Sequence, residues 1–125
     1  MTEVADGLWP DQAGWPMLLA FEARGDGVRE WHLALEPGLL WLQGHFPDNP
    51  VLPGIAQLHW AISLGQRHWP GLHDVCKVEN LKFRRPVQPP ATLVLTLWRD
   101  AGQPRLRFEY RVNKALCSSG RVYFT

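Results

Sequence analysis

A histidine pinned beside the start of a helix can act as a general base while the helix mouth holds negative charge. The stretch Gly44-His45-Phe46-Pro47-Asp48-Asn49-Pro50-Val51-Leu52-Pro53-Gly54 has that form, with three prolines in the seven residues from Pro47 to Pro53. Each proline fixes its own φ, so His45 is presented in one place. A free imidazole, with a pKa of ~6.5, suits general-base work near neutrality. Pro53-Gly54 then opens a helix: proline suits a first turn whose N–H groups have no partner, and glycine lets another molecule approach them. That helix mouth can hold an oxyanion or polarise a carbonyl. The bland readings are a structural loop histidine and an ordinary helix-start glycine.

The elements that must position this stretch follow from periodicity. Residues 1–15 show no sustained period and read as a lead-in segment. Met17 to Ala23 and Val28 to Leu35 flank Arg24-Gly25-Asp26-Gly27, a hairpin turn signal, with Trp31, Leu33 and Leu35 on one face. Pro37-Gly38 makes a turn, and Leu39 to Leu42 lead into the His45 loop. From Pro53 to about His68 the pattern is helical: Ile55, Leu58 and Ile62 recur at spacings of three to four, Trp60, Ala61 and Leu64 cover other sides, and the surface is apolar nearly all round. Such a helix is normally buried, so sheet must wrap it. One polar strip, His59, Ser63 and Gln66, crosses it. The rest reads as a four-strand meander: Val75 to Phe83 with an irregular alternation, Ala91 to Trp98, Arg105 to Val112, and Ser119 to Phe124. Leu106, Phe108, Tyr110 and Val112 point inward, and Arg105, Arg107, Glu109 and Arg111 outward.

Composition excludes several classes. With 125 residues, 46% hydrophobic and 20% charged, the chain is expected to form a single soluble domain. No apolar run approaches the ~20 residues of a membrane span, and no secretory signal opens the chain, so the cytoplasm is the expected location. Cys76 and Cys117 lie far apart without metal-ligand spacing, which predicts reduced thiols and no metal site. Residues 1–50 hold eight acids against two bases, and the remainder four acids against eleven bases. The basic part reads either as a solvated sheet face or as a docking surface for an acidic partner, with Lys82, Arg84 and Arg85 near the site mouth. These bases alternate with core residues and form no basic arm, which argues against nucleic acid.

The motif His45-Phe46-Pro47, Pro50, Pro53-Gly54 followed by an apolar helix resembles the 3-hydroxyacyl carrier-protein dehydratases of fatty-acid synthesis. Leu81-Lys82-Phe83-Arg84-Arg85-Pro86-Val87-Gln88-Pro89-Pro90 resembles the same family's second motif. Val51-Leu52-Pro53-Gly54-Ile55-Ala56-Gln57-Leu58 is most similar to dehydratase-like proteins of aryl-polyene pathways. The resemblance implies an α+β hot-dog fold, one long helix wrapped by an antiparallel sheet of about six strands. It further implies His45 as base at the substrate C2 carbon, the Gly54 N–H as polariser of the thioester carbonyl, and Phe46, Pro53, Ser63 and Phe83 along the substrate. The acyl group would arrive on the phosphopantetheine arm of an acyl carrier protein, and no other cofactor is implied. Two copies, or this chain and a homologue, would pair, with residue 59 of one facing His45 of the other. The family carries an aspartate or glutamate there; this chain has His59, which as imidazolium can still donate a proton. It also has Ser63 where a glutamine is frequent. The rival expectations are a non-catalytic hot-dog subunit, which binds acyl chains or pairs with an active homologue, and, third, a thioesterase. Asp48 is explained by its turn alone.

Overall fold

The computed structural model describes residues 8–10, 12–39, 42 and 50–125. Six strands and one helix follow in the order β1 (Met17–Arg24), β2 (Val28–Leu35), α1 (Gly54–His68), β3 (Val75–Phe83), β4 (Ala91–Arg99), β5 (Arg105–Val112) and β6 (Ala115–Phe124). They form one antiparallel sheet in the order β1-β2-β4-β5-β6-β3. This is the hot-dog arrangement expected from the sequence.

The alternation read from the sequence sets the two faces. Trp31, Leu33 and Leu35 of β2, Leu93, Leu95 and Leu97 of β4, and Leu106, Phe108 and Tyr110 of β5 are buried against the helix. Gly25, at φ +63° in the β1–β2 turn, takes a conformation that glycine adopts without strain. The lead-in residues Trp9 and Trp15 pack edge to face, and Trp15 stacks over Trp60 of the helix.

Two expectations require correction. The strands after the helix are not a four-strand meander: β4, β5 and β6 run consecutively, but β3 lies at the far edge beside β6. Its connection to β4 carries Pro86, Pro89 and Pro90 and is tied down where the Leu52 N–H donates to the Val87 carbonyl at 2.8 Å. A tight hairpin back to β4 is incompatible with so many fixed φ angles. The helix, expected to be buried nearly all round, is buried on one side. Ala56, Gln57, Trp60, Ala61, Leu64 and Gly65 are the buried residues, whereas Ile55 is 65% exposed and Leu58 and Ile62 are partly buried. The small residues let the helix lie close to the sheet, and the larger aliphatic stripe is left toward the rim.

The irregular alternation of β3 is real. Its pairing with β6 slips between Val75 and Lys77 and again between Glu79 and Lys82, and Asn80 sits at φ +53°. These slips bend the edge strand and re-aim its last residues.

At Gly65 the helix meets the sheet most closely, since an added Cβ would run into the Leu106 side chain. Gly65→Val gains some helix propensity but overpacks this contact. We expect a net loss of about 1–3 kcal/mol, read as a lower urea midpoint at unchanged slope.

Candidate active site at the helix mouth

Among the described residues no side chain caps the start of helix α1. Pro53, at φ −61° and ψ 145°, precedes Gly54, and the first helical bonds run from the Ala56 and Gln57 N–H groups to the Pro53 carbonyl at 3.1 and 3.3 Å. The Gly54 amide lies ahead of those bonds, at the positive end of the helix dipole. No acidic residue occupies the first turn. The mouth therefore keeps its capacity for an external acceptor.

A pocket of about 390 Å³ opens at this point. Pro53, Gly54 and Gln57 form one side of it, and Phe83, Arg84 and Arg85 the other. The bulged end of β3 brings the two motifs together. Phe83 lies so near that a Cβ on Gly54 would approach its ring to 2.6 Å, and the Phe83 side chain itself is half exposed. Glycine is required here by the close approach of that ring.

The mouth is held from beneath by a residue to which the sequence assigned no role. Gln57 is 3% exposed. Its side-chain N–H donates to the Leu52 carbonyl at 3.2 Å, and its side-chain oxygen accepts from the Ser118 hydroxyl of β6 at 2.6 Å. The Gln57 carbonyl accepts from the Tyr110 hydroxyl of β5 at 2.6 Å. Burial pushes the Tyr110 phenol well above its ordinary pKa, so it stays protonated and donates. These three bonds couple the segment before Pro53, the first helical turn and two central strands. A polar residue on an otherwise apolar helix face was the available signal.

The remaining expected residues are distributed as follows. His45 and Phe46 lie outside the described residues. Pro53, Gly54, Phe83, Arg84 and Arg85 meet at the pocket. Lys82 does not join them: strand alternation sends it to the opposite face of the sheet, where it lines a separate cavity that Arg84 also borders. His59 is exposed on the helix, with its ring 6.0 Å from that of Trp15, and Ser63 is half-buried; neither lines the pocket. Gln66, the third member of the polar strip, has a structural partner, donating to the His73 carbonyl at 2.6 Å. Cys76 and Cys117 are both free. No helix among the described residues is long and apolar enough to cross a membrane.

Comparison with known proteins agrees with this architecture. Residues 22–121 match the family described as ApeI-like, ApeI dehydratase. A chain of the dehydratase heterocomplex ApeI:P from Xenorhabdus doucetiae superposes with a TM-score of 0.80 at 31% identity, covering 86% of this chain and 96% of that one. The dehydratase domain of the polyketide PpsC from Mycobacterium tuberculosis, in complex with C12:1-CoA, gives a TM-score of 0.70 at 27% identity, covering 91% of this chain and 44% of that one. The 3-hydroxyacyl-[acyl-carrier-protein] dehydratase FabZ of Brucella ovis is 47% identical over 60 residues, which span 42% of this chain and 38% of that relative's length.

Gln57→Leu would leave the Leu52 carbonyl and the Ser118 hydroxyl without partners in a dry site. We expect it to cost about 2 kcal/mol or more in unfolding free energy. Ser118→Ala, which leaves the bond to Leu52 intact, should cost about half as much. Denaturant titration of the two variants side by side checks this ordering.

Proposed function

The chain belongs to the ApeI-like dehydratase family, and from that premise we propose that it removes water from a 3-hydroxyacyl thioester to give the trans-2-enoyl thioester. The observation that carries the reading is the meeting of an uncapped helix mouth at Gly54 with Phe83 in one pocket, directly downstream of the His45 segment.

In this mechanism the thioester carbonyl oxygen accepts a hydrogen bond from the Gly54 N–H. Charge that builds on that oxygen as C2 is deprotonated then meets the positive end of the helix, which makes the C2 proton more acidic. His45 takes the proton. The C2–H electron pair becomes the C2–C3 double bond, and the C3–O pair departs with the hydroxyl, which leaves as water once protonated. His59 of a second subunit supplies that proton as imidazolium. Phe46, Pro53, Ser63 and Phe83 flank the acyl and pantetheine path.

The substrate arrives on the phosphopantetheine of an acyl carrier protein, in fatty-acid or aryl-polyene-type synthesis in the cytoplasm. Arg84 and Arg85 at the pocket rim suit its acidic surface, and Lys82 lines the separate cavity on the other face that Arg84 also borders. A second hot-dog subunit covers the exposed apolar side chains Ile55 of the helix and Leu81 and Phe83 of the edge strand β3, which are 65%, 40% and 49% exposed. That subunit is another copy or a homologue.

One observation favours a second reading. The structural relative from Xenorhabdus doucetiae is part of a heterocomplex, and this chain carries His59 in place of a carboxylate. A non-catalytic subunit paired with an active homologue fits both facts.

Purified protein given a 3-hydroxyacyl carrier-protein substrate should yield the 2-enoyl product by mass spectrometry. His45→Ala should lower the rate at least ~100-fold, and Gly54→Ala, which must displace Phe83, should lower it by a similar factor. Activity indifferent to His45→Ala removes the proposal. A silent wild type that His59→Glu switches on supports the non-catalytic subunit, and release of free thiol from the substrate marks a thioesterase instead.

A further inference from the structure

The outer face of the sheet, turned away from the helix, treats its charges in two ways. Toward β1 and β2 they are matched: Glu30 accepts from Thr96 at 3.2 Å and lies 3.0 Å from His32 and 3.5 Å from Arg24. Toward β5 and β6 they are not. Arg107 and Arg121 stand directly opposite each other in the β5–β6 ladder. Like charges at such a position destabilise a sheet. Arg107 is braced there, its guanidinium 4.1 Å from the centre of the Trp98 ring.

The pair borders a cavity of about 280 Å³ whose lining also includes Lys82, Arg84, Ser119 and Asn80. Four cations, a hydroxyl and an amide thus surround one concavity. Its single acid, Glu109, is held by Arg111 at 2.8 Å. Glu79, across the ladder from Arg121, lies 3.4 Å from Lys77. Among the described residues none of Lys82, Arg84, Arg107 and Arg121 forms an ion pair within 4.0 Å. Glu79 offsets part of the Arg121 charge but is shared with Lys77, so the cations around the cavity still outnumber the acids that face them, and a site that departs from ordinary charge placement is where function is expected.

We propose that this cavity binds a phosphate ester. Guanidinium forks match phosphate oxygens two at a time, and several of them converging suit a group with more than one negative charge. The small size of this open concavity and its few donors fit a single phosphate or diphosphate better than a nucleic-acid backbone, which needs an extended track. Arg84 borders both this cavity and the helix-mouth pocket. The distance between the two is modest: the Arg121 position lies three residues along β6 from Ser118, the partner of Phe83, and Arg107 one strand further. That is about 10 Å along the strand and about 5 Å across. Arg84 therefore stands between the outer-face cavity and the pocket that holds Gly54. The site stands whether or not the chain catalyses dehydration, because it rests on the arginine pair alone.

The test is calorimetric titration with inorganic pyrophosphate at low salt. Arg107→Gln and Arg121→Gln should each weaken binding about tenfold or more, whereas Arg67→Gln, which removes the same charge from the last turn of the helix and does not line the cavity, should leave it unchanged. Because Arg107 also braces Trp98, the Arg121 variant is the cleaner of the two. Displacement of pyrophosphate by free coenzyme A assigns the site to a soluble phosphorylated molecule. Displacement by phosphopantetheinylated carrier protein, but not by its unmodified form, assigns it to the carrier's phosphodiester. No pyrophosphate binding at millimolar concentration, or binding that survives both arginine substitutions, overturns the proposal.

Discussion

One buried glutamine fixes the start of the helix against the sheet. Gln57 lies on the core side of the helix, an expensive place for an amide unless every polar atom is engaged. It is engaged by Leu52 before the helix and by Ser118 in β6, while Tyr110 takes the carbonyl of the same residue. Remove these bonds and the helix would still bury Trp60, Ala61 and Leu64. What would be lost is the register of its first turn against the sheet, and with it the placement of the Gly54 amide.

The second constraint is the edge strand. β3 pairs only with β6, slips twice in register, and exposes most of its side chains. An unslipped strand would carry its alternation straight through to Phe83. The irregular one delivers Phe83 onto Gly54 and leaves Lys82 on the opposite face. The same strand supplies Leu81 and Phe83 as exposed apolar side chains at an open sheet edge, a combination that a lone chain in water does not favour.

Charge follows the two-faced character of the sheet. The outward residues of β5, read in the sequence as a solvated strip or a docking surface, become a directed arrangement only once β6 is laid beside them. Arg107 and Arg121 are fourteen positions apart in the chain and adjacent in the ladder. Nothing in either strand alone shows that the two charges meet, and Glu30 on the same face shows what the matched case looks like.

The sequence by itself determined β2, β4 and β5, because a period of two with Leu and Trp inward admits only one buried face, whereas β6 begins at Ala115, four residues before the expected Ser119. It determined the helix and its glycine start, since Pro-Gly before an apolar period has few other uses. It also carried both family motifs, so the hot-dog fold was legible before any coordinates. Tertiary structure decided the rest, for a physical reason common to every case: partner identity across long sequence separation is not written in local periodicity. That is why β3 went to the far edge, why the helix buried Ala56 and Gly65 in place of Ile55, and why Gln57 found Ser118. It is also why Lys82 parted from Arg85. A side chain's type fixes what it can do, but the strand or helix packed against it fixes what it meets.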